Sequence, residues 1–172
     1  MKGVVIIDAF AFCRNGEQQS GKWRLSDLAR LRAECVSDEG DIAWTLSGEM
    51  SKQASGYPSL HLTVSGTVQL KCQRCLTPYI FQIKSDSTML LAKDEAAADQ
   101  LDMLLQDEAF EIIVGSNTFD VTALIEDEAL LALPLAPKHE VCPDDVKLDV
   151  SANNKKESPF AVLKEVLGRS ES

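Results

Sequence analysis

The stretch LHLTVSGTVQLKCQRCLTPYIFQI, residues 60–83, contains two runs in which apolar and polar residues alternate, joined by a short connection with two cysteines. In the first run, the even positions from Leu60 to Cys72 are apolar or glycine. In the second run, Tyr79, Phe81 and Ile83 share one face. A period of two residues is typical of half-buried strands, and short connections join antiparallel neighbours. The stretch therefore predicts two antiparallel strands with the cysteines at their turn.

The same alternation occurs upstream in DIAWTLSGEM, residues 41–50, where Ile42, Trp44 and Leu46 occupy one face. These three runs predict a meander of at least three strands. A further short strand is expected at FEIIVG, residues 110–115. The acidic, alanine-rich segment 93–109 is compatible with either a short helix or a loop, and the sequence does not decide between them.

A helix is expected from Val121 to about Leu133, with Asp120 as its N-cap. Pro134 and Pro137 follow it and prevent its continuation. The predicted fold class is therefore α+β, with an antiparallel β-sheet meander and a helix packed on one face.

The predicted organisation is a single α+β domain at residues 1–142, a flexible linker at 143–157 and a short C-terminal helix at 158–168. The linker segment is polar and shows no periodicity. Ser158 as N-cap, Pro159 at the first helical position and Gly168 after the last turn delimit the helix.

The charge balance bears on the class of partner. Seventeen basic and 27 acidic residues give a formal net charge of −10, which is the wrong sign for a protein that binds by neutralising phosphates. DNA is therefore not expected as a partner, and direct contact with RNA stays open. One basic cluster occurs, and we interpret it as a solvated amphipathic helix, with an RNA-binding patch as the alternative: Arg14, Lys22, Trp23, Arg24, Arg30 and Arg32. An acidic surface favours basic partners, among which ribosomal proteins are abundant.

The cellular compartment is predicted from the absence of targeting features. The first apolar run is interrupted by Asp8 and is not followed by a small-residue cleavage signature, so a secretory signal is not expected. No apolar stretch approaches the roughly 20 residues that cross a bilayer. The five cysteines are odd in number and do not indicate a disulfide framework. We therefore expect a cytoplasmic protein with reduced thiols and no membrane contact.

The cysteine connection allows three interpretations: half of a metal site, a redox pair, or only a turn. Cys72 and Cys75 form one pair of ligand candidates and His139 and Cys142 a second, both at the two-residue spacing that tetrahedral zinc uses. Positions 76–138 lie between the pairs, so a zinc site requires the fold to bring two turns together. A redox pair is disfavoured because a strand pattern follows Cys75, so no helix dipole would lower the thiol pKa.

Glu128 falls among the apolar positions of the predicted helix, whereas Glu126 and Asp127 point elsewhere. Because an unpaired buried carboxylate is costly, we hypothesise that Arg74 in the cysteine turn pairs with Glu128. A half-exposed, solvated Glu128 is the alternative. No arrangement of serine, cysteine, histidine and carboxylates at catalytic spacing emerges, so an enzyme is not expected.

Three blocks in order, LKCQRCLTPY, DVTALIEDEALLALPLAPKHEVC and SPFAVL, resemble the YceD family of large ribosomal RNA subunit accumulation proteins. The resemblance covers roughly residues 60–142 and the C-terminal helix, whereas residues 1–59 fit only loosely. Some relatives have a second CxxC near His139 and Cys142. The residues that carry the family pattern are Cys72, Arg74, Cys75, Leu76, Glu126, Asp127, Glu128, Leu131, Leu133, Pro134, His139 and Cys142.

The resemblance implies a non-catalytic role in 23S ribosomal RNA synthesis, processing or accumulation and in large-subunit assembly. Its partner would be a ribosomal protein or a large-subunit precursor particle, and Arg74, Glu126, Asp127 and Glu128 are the candidate binding residues. The second hypothesis is a zinc-containing interaction module unrelated to ribosomes, and the third is a thiol-dependent enzyme.

Overall fold

The computed structural model describes residues 4–51, 56–105 and 110–143. Their elements form a five-stranded sheet, a two-stranded sheet and four α-helices, in the α+β class predicted from the sequence. In chain order they are β1 (Ile6–Ile7), α1 (Ala9–Asn15), β2 (Gln18–Arg24), α2 (Ala29–Ala33), β3 (Asp41–Met50), β4 (Pro58–Lys71), β5 (Pro78–Ala92), α3 (Glu95–Leu104), β6 (Glu111–Val114), β7 (Phe119–Asp120) and α4 (Val121–Leu131).

The predicted meander is confirmed as β3, β4 and β5, which pair antiparallel in that order. The even positions of β4 that carry Leu60, Leu62, Val64, Val68 and Leu70 are all at most 1% exposed. Their odd-numbered neighbours from His61 to Lys71 face outward and are half-buried or exposed. The period-two pattern therefore marks the face of the sheet that packs on the core.

The far edge of the sheet departs from the antiparallel prediction. The strand expected at residues 110–115 is present as β6, but it pairs parallel to β5, from Met89 opposite Glu111 to Ala92 opposite Val114. A parallel neighbour requires a crossover connection, and α3 provides it. The segment 93–109, for which the sequence left helix and loop open, thus contains a helix that begins after its N-cap Asp94.

The N-terminal third contains elements that the alternation did not indicate. Two of the five basic residues from Arg14 to Arg32, Lys22 and Arg24, lie on the edge strand β2, where both are exposed. Trp23 on the same strand contacts Trp44 of β3, with 5.1 Å between the ring centroids. Only the short α2 corresponds to the helix expected there.

The predicted helix at residues 121–133 is confirmed as α4, and Asp120 caps it by accepting hydrogen bonds from the backbone of Thr122 and Ala123. The helix buries Val121, Ile125 and Ala129 in the main core. A second, smaller cluster joins Leu90 of β5 to Leu101 of α3. Successive residues of a strand point to opposite faces, so α3 covers the face of β5 that α4 does not.

All of these elements belong to one compact unit, Met1–Cys142. The predicted linker beyond Pro143 and the predicted helix at 158–168 lie outside the described residues, and the domain boundaries remain predictions. Among the helices that the structure describes, none is long and apolar enough to span a bilayer.

Close packing of α1 on β3 depends on Gly48. A Cβ atom at this position would lie 2.6 Å from Phe12 Cδ1 and 2.9 Å from Cys13 Cα. Because a backbone atom cannot move aside as a side chain can, we expect Gly48→Ala to destabilise the protein by about 1–3 kcal/mol. Urea unfolding measures the loss. Ser47→Ala on the opposite face of β3 is the control, and equal midpoints for the two variants would contradict the packing argument.

Candidate metal centre

Two turns that are distant in sequence meet at one end of the sheet. Cys72 and Cys75 lie in the connection between β4 and β5, and His139 and Cys142 lie in the segment after α4. One potential ligand atom from each of these four residues lies within 4.8 Å of the other three. The convergence that a split zinc site requires is therefore present in the fold.

The first ligand loop, residues 72–77, is shaped by backbone hydrogen bonds. The Cys72 N–H donates to Thr77 O at 3.0 Å, and the Leu76 N–H donates to Cys72 O at 2.9 Å. Leu76 adopts a left-handed conformation with φ of 62°, which costs a non-glycine residue on the order of 1–2 kcal/mol. This tight turn directs both cysteine side chains to the same side.

The second ligand loop, residues 137–142, is attached to the first. The Gln73 N–H donates to Pro137 O at 2.8 Å, across the two loops. The His139 ring packs against Tyr79 of β5, with ring centroids 5.0 Å apart. These contacts hold the imidazole over the start of β5 and place Cys142 beside the first loop.

The side chains of the four residues also contact one another directly. Cys75 Sγ lies 3.3 Å from His139 Nδ1, and Cys72 Sγ lies 3.8 Å from Cys142 Sγ. Cys72 is fully buried, whereas the other three are partly exposed. The site is therefore anchored in the core at Cys72 and open towards solvent on its other side.

The pKa values in the first loop favour a thiolate. Burial opposes ionisation of Cys72, but hydrogen bonds from the backbone at Cys75, His139 and Arg74 and from the His139 ring outweigh it and lower the pKa to about 5. Hydrogen bonding to Thr77, whose Oγ1 lies 3.1 Å from Cys75 Sγ, lowers the pKa of Cys75. Since the thiolate is the form that binds metal, both cysteines are prepared as ligands.

In the second loop, the pKa values of His139 and Cys142 are both raised. Hydrogen bonding to Cys72 raises the pKa of His139. At Cys142 the Arg74 guanidinium lowers the pKa, but burial and the neighbouring thiols of Cys75 and Cys72 prevail and raise it. Arg74 Nε donates to Cys142 Sγ at 3.0 Å. Negative charge thus concentrates on the first loop, with the histidine beside it.

The four side chains form a donor set that could hold a metal ion. Three sulfurs and one imidazole nitrogen match the ligands of closed tetrahedral zinc sites. Neither cysteine of the first loop lies at a helix N-terminus, because β5 begins at Pro78. The activation that redox cysteine pairs obtain from a helix dipole is therefore missing here.

The remaining candidate residues of the sequence analysis lie on α4. Glu126 is buried and reaches α2, where its Oε1 accepts hydrogen bonds from the backbone of Arg30 at 2.7 Å and Leu31 at 3.2 Å. Asp127 is half-exposed and lies 2.6 Å from Arg30 Nη1. Both carboxylates thus hold the short helix α2 against α4, which sequence spacing alone did not reveal.

Glu128 is buried, as its position on the apolar face suggested, and the solvated alternative is wrong. It accepts a short hydrogen bond from Ser85 Oγ of β5. The structure therefore gives Glu128 a hydroxyl partner on the sheet in place of the hypothesised Arg74, whose Nε is directed at Cys142. A serine in a strand gives no sequence signal for such a contact.

Comparisons with known proteins place these features in a family context. Residues 60–167 match the family model described as large ribosomal RNA subunit accumulation protein YceD. A similar protein with that name from Haemophilus influenzae is 30% identical over 154 residues, which cover 83% of this chain and 83% of the relative. No solved structure matches.

The contacts of Glu126 predict a structural rather than a binding role for this residue. We expect Glu126→Ala to destabilise the protein by about 1–3 kcal/mol, because two backbone N–H groups at the start of α2 lose their acceptor. Asp127→Ala is the matched control, since exposed ion pairs contribute at most about 1 kcal/mol. Chemical denaturation of both variants measures the difference, and an equal cost at the two positions would contradict the capping role.

Proposed function

Because the chain belongs to the YceD family of large ribosomal RNA subunit accumulation proteins, we propose that it is a non-catalytic factor in large-subunit assembly. Its role would be to support 23S ribosomal RNA synthesis, processing or accumulation. The observation that carries this proposal is the family match, which includes both ligand loops and α4. The relative's name concerns accumulation of the RNA, which a binding factor achieves by protecting or organising a precursor.

The contacts that the carboxylates of α4 make with other secondary-structure elements support a non-catalytic role. Glu126 and Asp127 bind Arg30, and Glu128 binds Ser85, so these carboxylates connect secondary-structure elements. The four converging ligand candidates form a set that suits a closed, structural centre. A closed centre leaves no coordination position for a substrate or an activated water.

We further propose that Cys72, Cys75, His139 and Cys142 bind one zinc ion. Zinc bound there would join the segment after α4 to the β4–β5 turn. Such a joint would fix a surface that carries the exposed side chains of Leu76, Ile80 and Val141. Beside it lies an open concavity of about 890 Å³, lined in part by Tyr79 and Lys138.

The partner we propose is a ribosomal protein or a large-subunit precursor particle, met in the cytoplasm. Helix α3 supports a basic partner, because Glu95, Asp99 and Asp102 lie on one face and Asp94 caps its N-terminus. All four carboxylates are exposed. No ion pair of theirs occurs within residues 4–51, 56–105 and 110–143. Direct RNA contact is not required by this arrangement.

The alternative is a zinc-containing interaction module whose partner is unrelated to ribosomes. The exposed apolar side chains beside the ligand loops favour it, because such patches mark protein contacts. Co-sedimentation with ribosomal particles separates the two candidates.

We expect the wild-type protein to co-sediment with large-subunit precursors at low salt and to dissociate as salt rises, because charge complementarity weakens on screening. Replacing Asp99 and Asp102 by asparagine should weaken the association several-fold. Asp27→Asn with Glu39→Gln removes the same charge from exposed positions elsewhere and serves as the control. Absence of the wild-type protein from all particle fractions, with normal 23S ribosomal RNA levels in a deletion strain, would favour the alternative.

Metal analysis tests the zinc centre independently of ribosomes. The purified protein should contain about one equivalent of zinc, and Cys75→Ser should reduce it to near zero, because a structural site needs all four ligands. Cys35→Ser, at a half-buried cysteine outside the cluster, should retain the metal. A wild-type protein that stays metal-free after incubation with zinc and is no less stable under chelation would refute the centre.

A further inference from the structure

Arg74 occupies a distinctive position between the two cysteines of the first ligand loop. Its Nε donates a hydrogen bond to Cys142 Sγ at 3.0 Å, so it reaches from the first loop to the last ligand of the second loop, 68 positions away in sequence. This contact comes from an exposed side chain and ends on a partly exposed sulfur. The backbone hydrogen bond from the Gln73 N–H to Pro137 O joins the same two loops.

The contact between Arg74 and Cys142 is important because the metal-loaded centre would carry a negative charge. A divalent metal with three thiolates and one neutral imidazole carries a net charge of −1, and the chain around it already carries −10. The two exposed charges of the second loop, Lys138 and Glu140, offset each other. The guanidinium of Arg74 is a cation that is hydrogen-bonded to one of the ligand sulfurs, and its charge opposes the net charge of the centre.

The sulfurs of the first loop also have polar neighbours. Cys72 Sγ lies 3.8 Å from Cys142 Sγ, and Cys75 Sγ shares a hydrogen bond of 3.1 Å with Thr77 Oγ1. At Cys142 the donor is Arg74, whose Nε lies 3.0 Å from the sulfur. Outer contacts of this kind orient metal ligands and adjust their basicity.

We propose that Arg74 is a positioning residue of the metal centre, which holds the Cys142 thiolate in place and compensates the charge of the three-thiolate site. The guanidinium suits this task because its N–H groups are fixed in a plane and it stays charged at all relevant pH values. The contact also keeps the two loops together before metal binds, which lowers the entropic cost of closing a site with distant ligands. The inference rests on the proposed zinc centre and not on the ribosomal role.

The test compares zinc affinity of the wild type, Arg74→Lys and Arg74→Gln by competition with a chromophoric chelator. We expect Arg74→Gln to bind zinc about 10–100-fold more weakly, as is typical when an outer contact of a ligand is lost. Arg74→Lys should fall between, because it keeps the charge and loses the planar donor. Arg24→Gln, on β2 two strands away from β4, removes the same charge at an exposed position and should bind like the wild type.

Two further readouts separate positioning from general stability. In the zinc-loaded Arg74→Gln protein, iodoacetamide should modify Cys142 faster than in the wild type, while Cys72 stays protected. With cobalt(II) in place of zinc, the thiolate charge-transfer band should change in this variant and not in Arg24→Gln. Circular dichroism at saturating zinc verifies that the variants are folded.

The outcomes test the role of Arg74 separately from the zinc centre and the ribosomal role. Equal zinc affinity and equal Cys142 alkylation in the wild type and Arg74→Gln would overturn the role of Arg74 and leave the zinc centre standing. A wild-type protein that binds no metal would overturn both. Co-sedimentation of the wild-type protein with large-subunit precursors tests the ribosomal role separately.

Discussion

The register of β4 against β5 is the constraint on which the rest of the structure depends. Thirteen residue pairs, from Ser59 opposite Leu90 to Lys71 opposite Pro78, align the two strands. A slip by one residue would turn the buried row from Leu60 to Leu70 towards solvent, so burial and pairing enforce the same alignment. That alignment brings the strands to a common end at residues 72–77, where the turn directs two thiols to one side. The ligand loop is thus a consequence of the register of the sheet.

Helix α4 connects this sheet to the remainder of the chain through its carboxylates. Its apolar residues pack on the core, while Glu126 caps α2 and Glu128 binds Ser85 on β5. Because buried carboxylates without partners are costly, these contacts fix the rotation of the helix as well as its position. The segment after α4 therefore leaves at a defined point and can carry His139 and Cys142 to the turn. The acidic motif of α4 and the four ligand candidates thus depend on the same packing of α4, which gives a physical reason for their occurrence together in the sequence blocks.

The proposed function makes use of the surface that this construction exposes. Leu76, Ile80 and Val141 face solvent near the two ligand loops, and α3 presents a row of carboxylates. Apolar anchors and acidic surface together suit recognition of a basic macromolecule more than transformation of a small substrate. The proposed partner, a basic ribosomal protein, is a macromolecule of this kind.

The sequence by itself determined the strands of the meander, the start of α4 and the identity of the four ligand candidates. Each depends on local chemistry: alternation of side chains, an aspartate at an N-cap, and the spacing of soft ligands on a turn. The tertiary structure alone decided that the ligand pairs converge, that β6 runs parallel to β5, and that Glu128 meets Ser85 while Glu126 caps α2. The hydrogen bonds of Glu128 with Ser85 and of Glu126 with Arg30 join residues 43 and 96 positions apart, and the partners are a serine and a backbone N–H group, which carry no pattern in the sequence. Local periodicity shows which face of a helix or strand is buried. The residue that this face contacts across the core depends on how the whole chain packs.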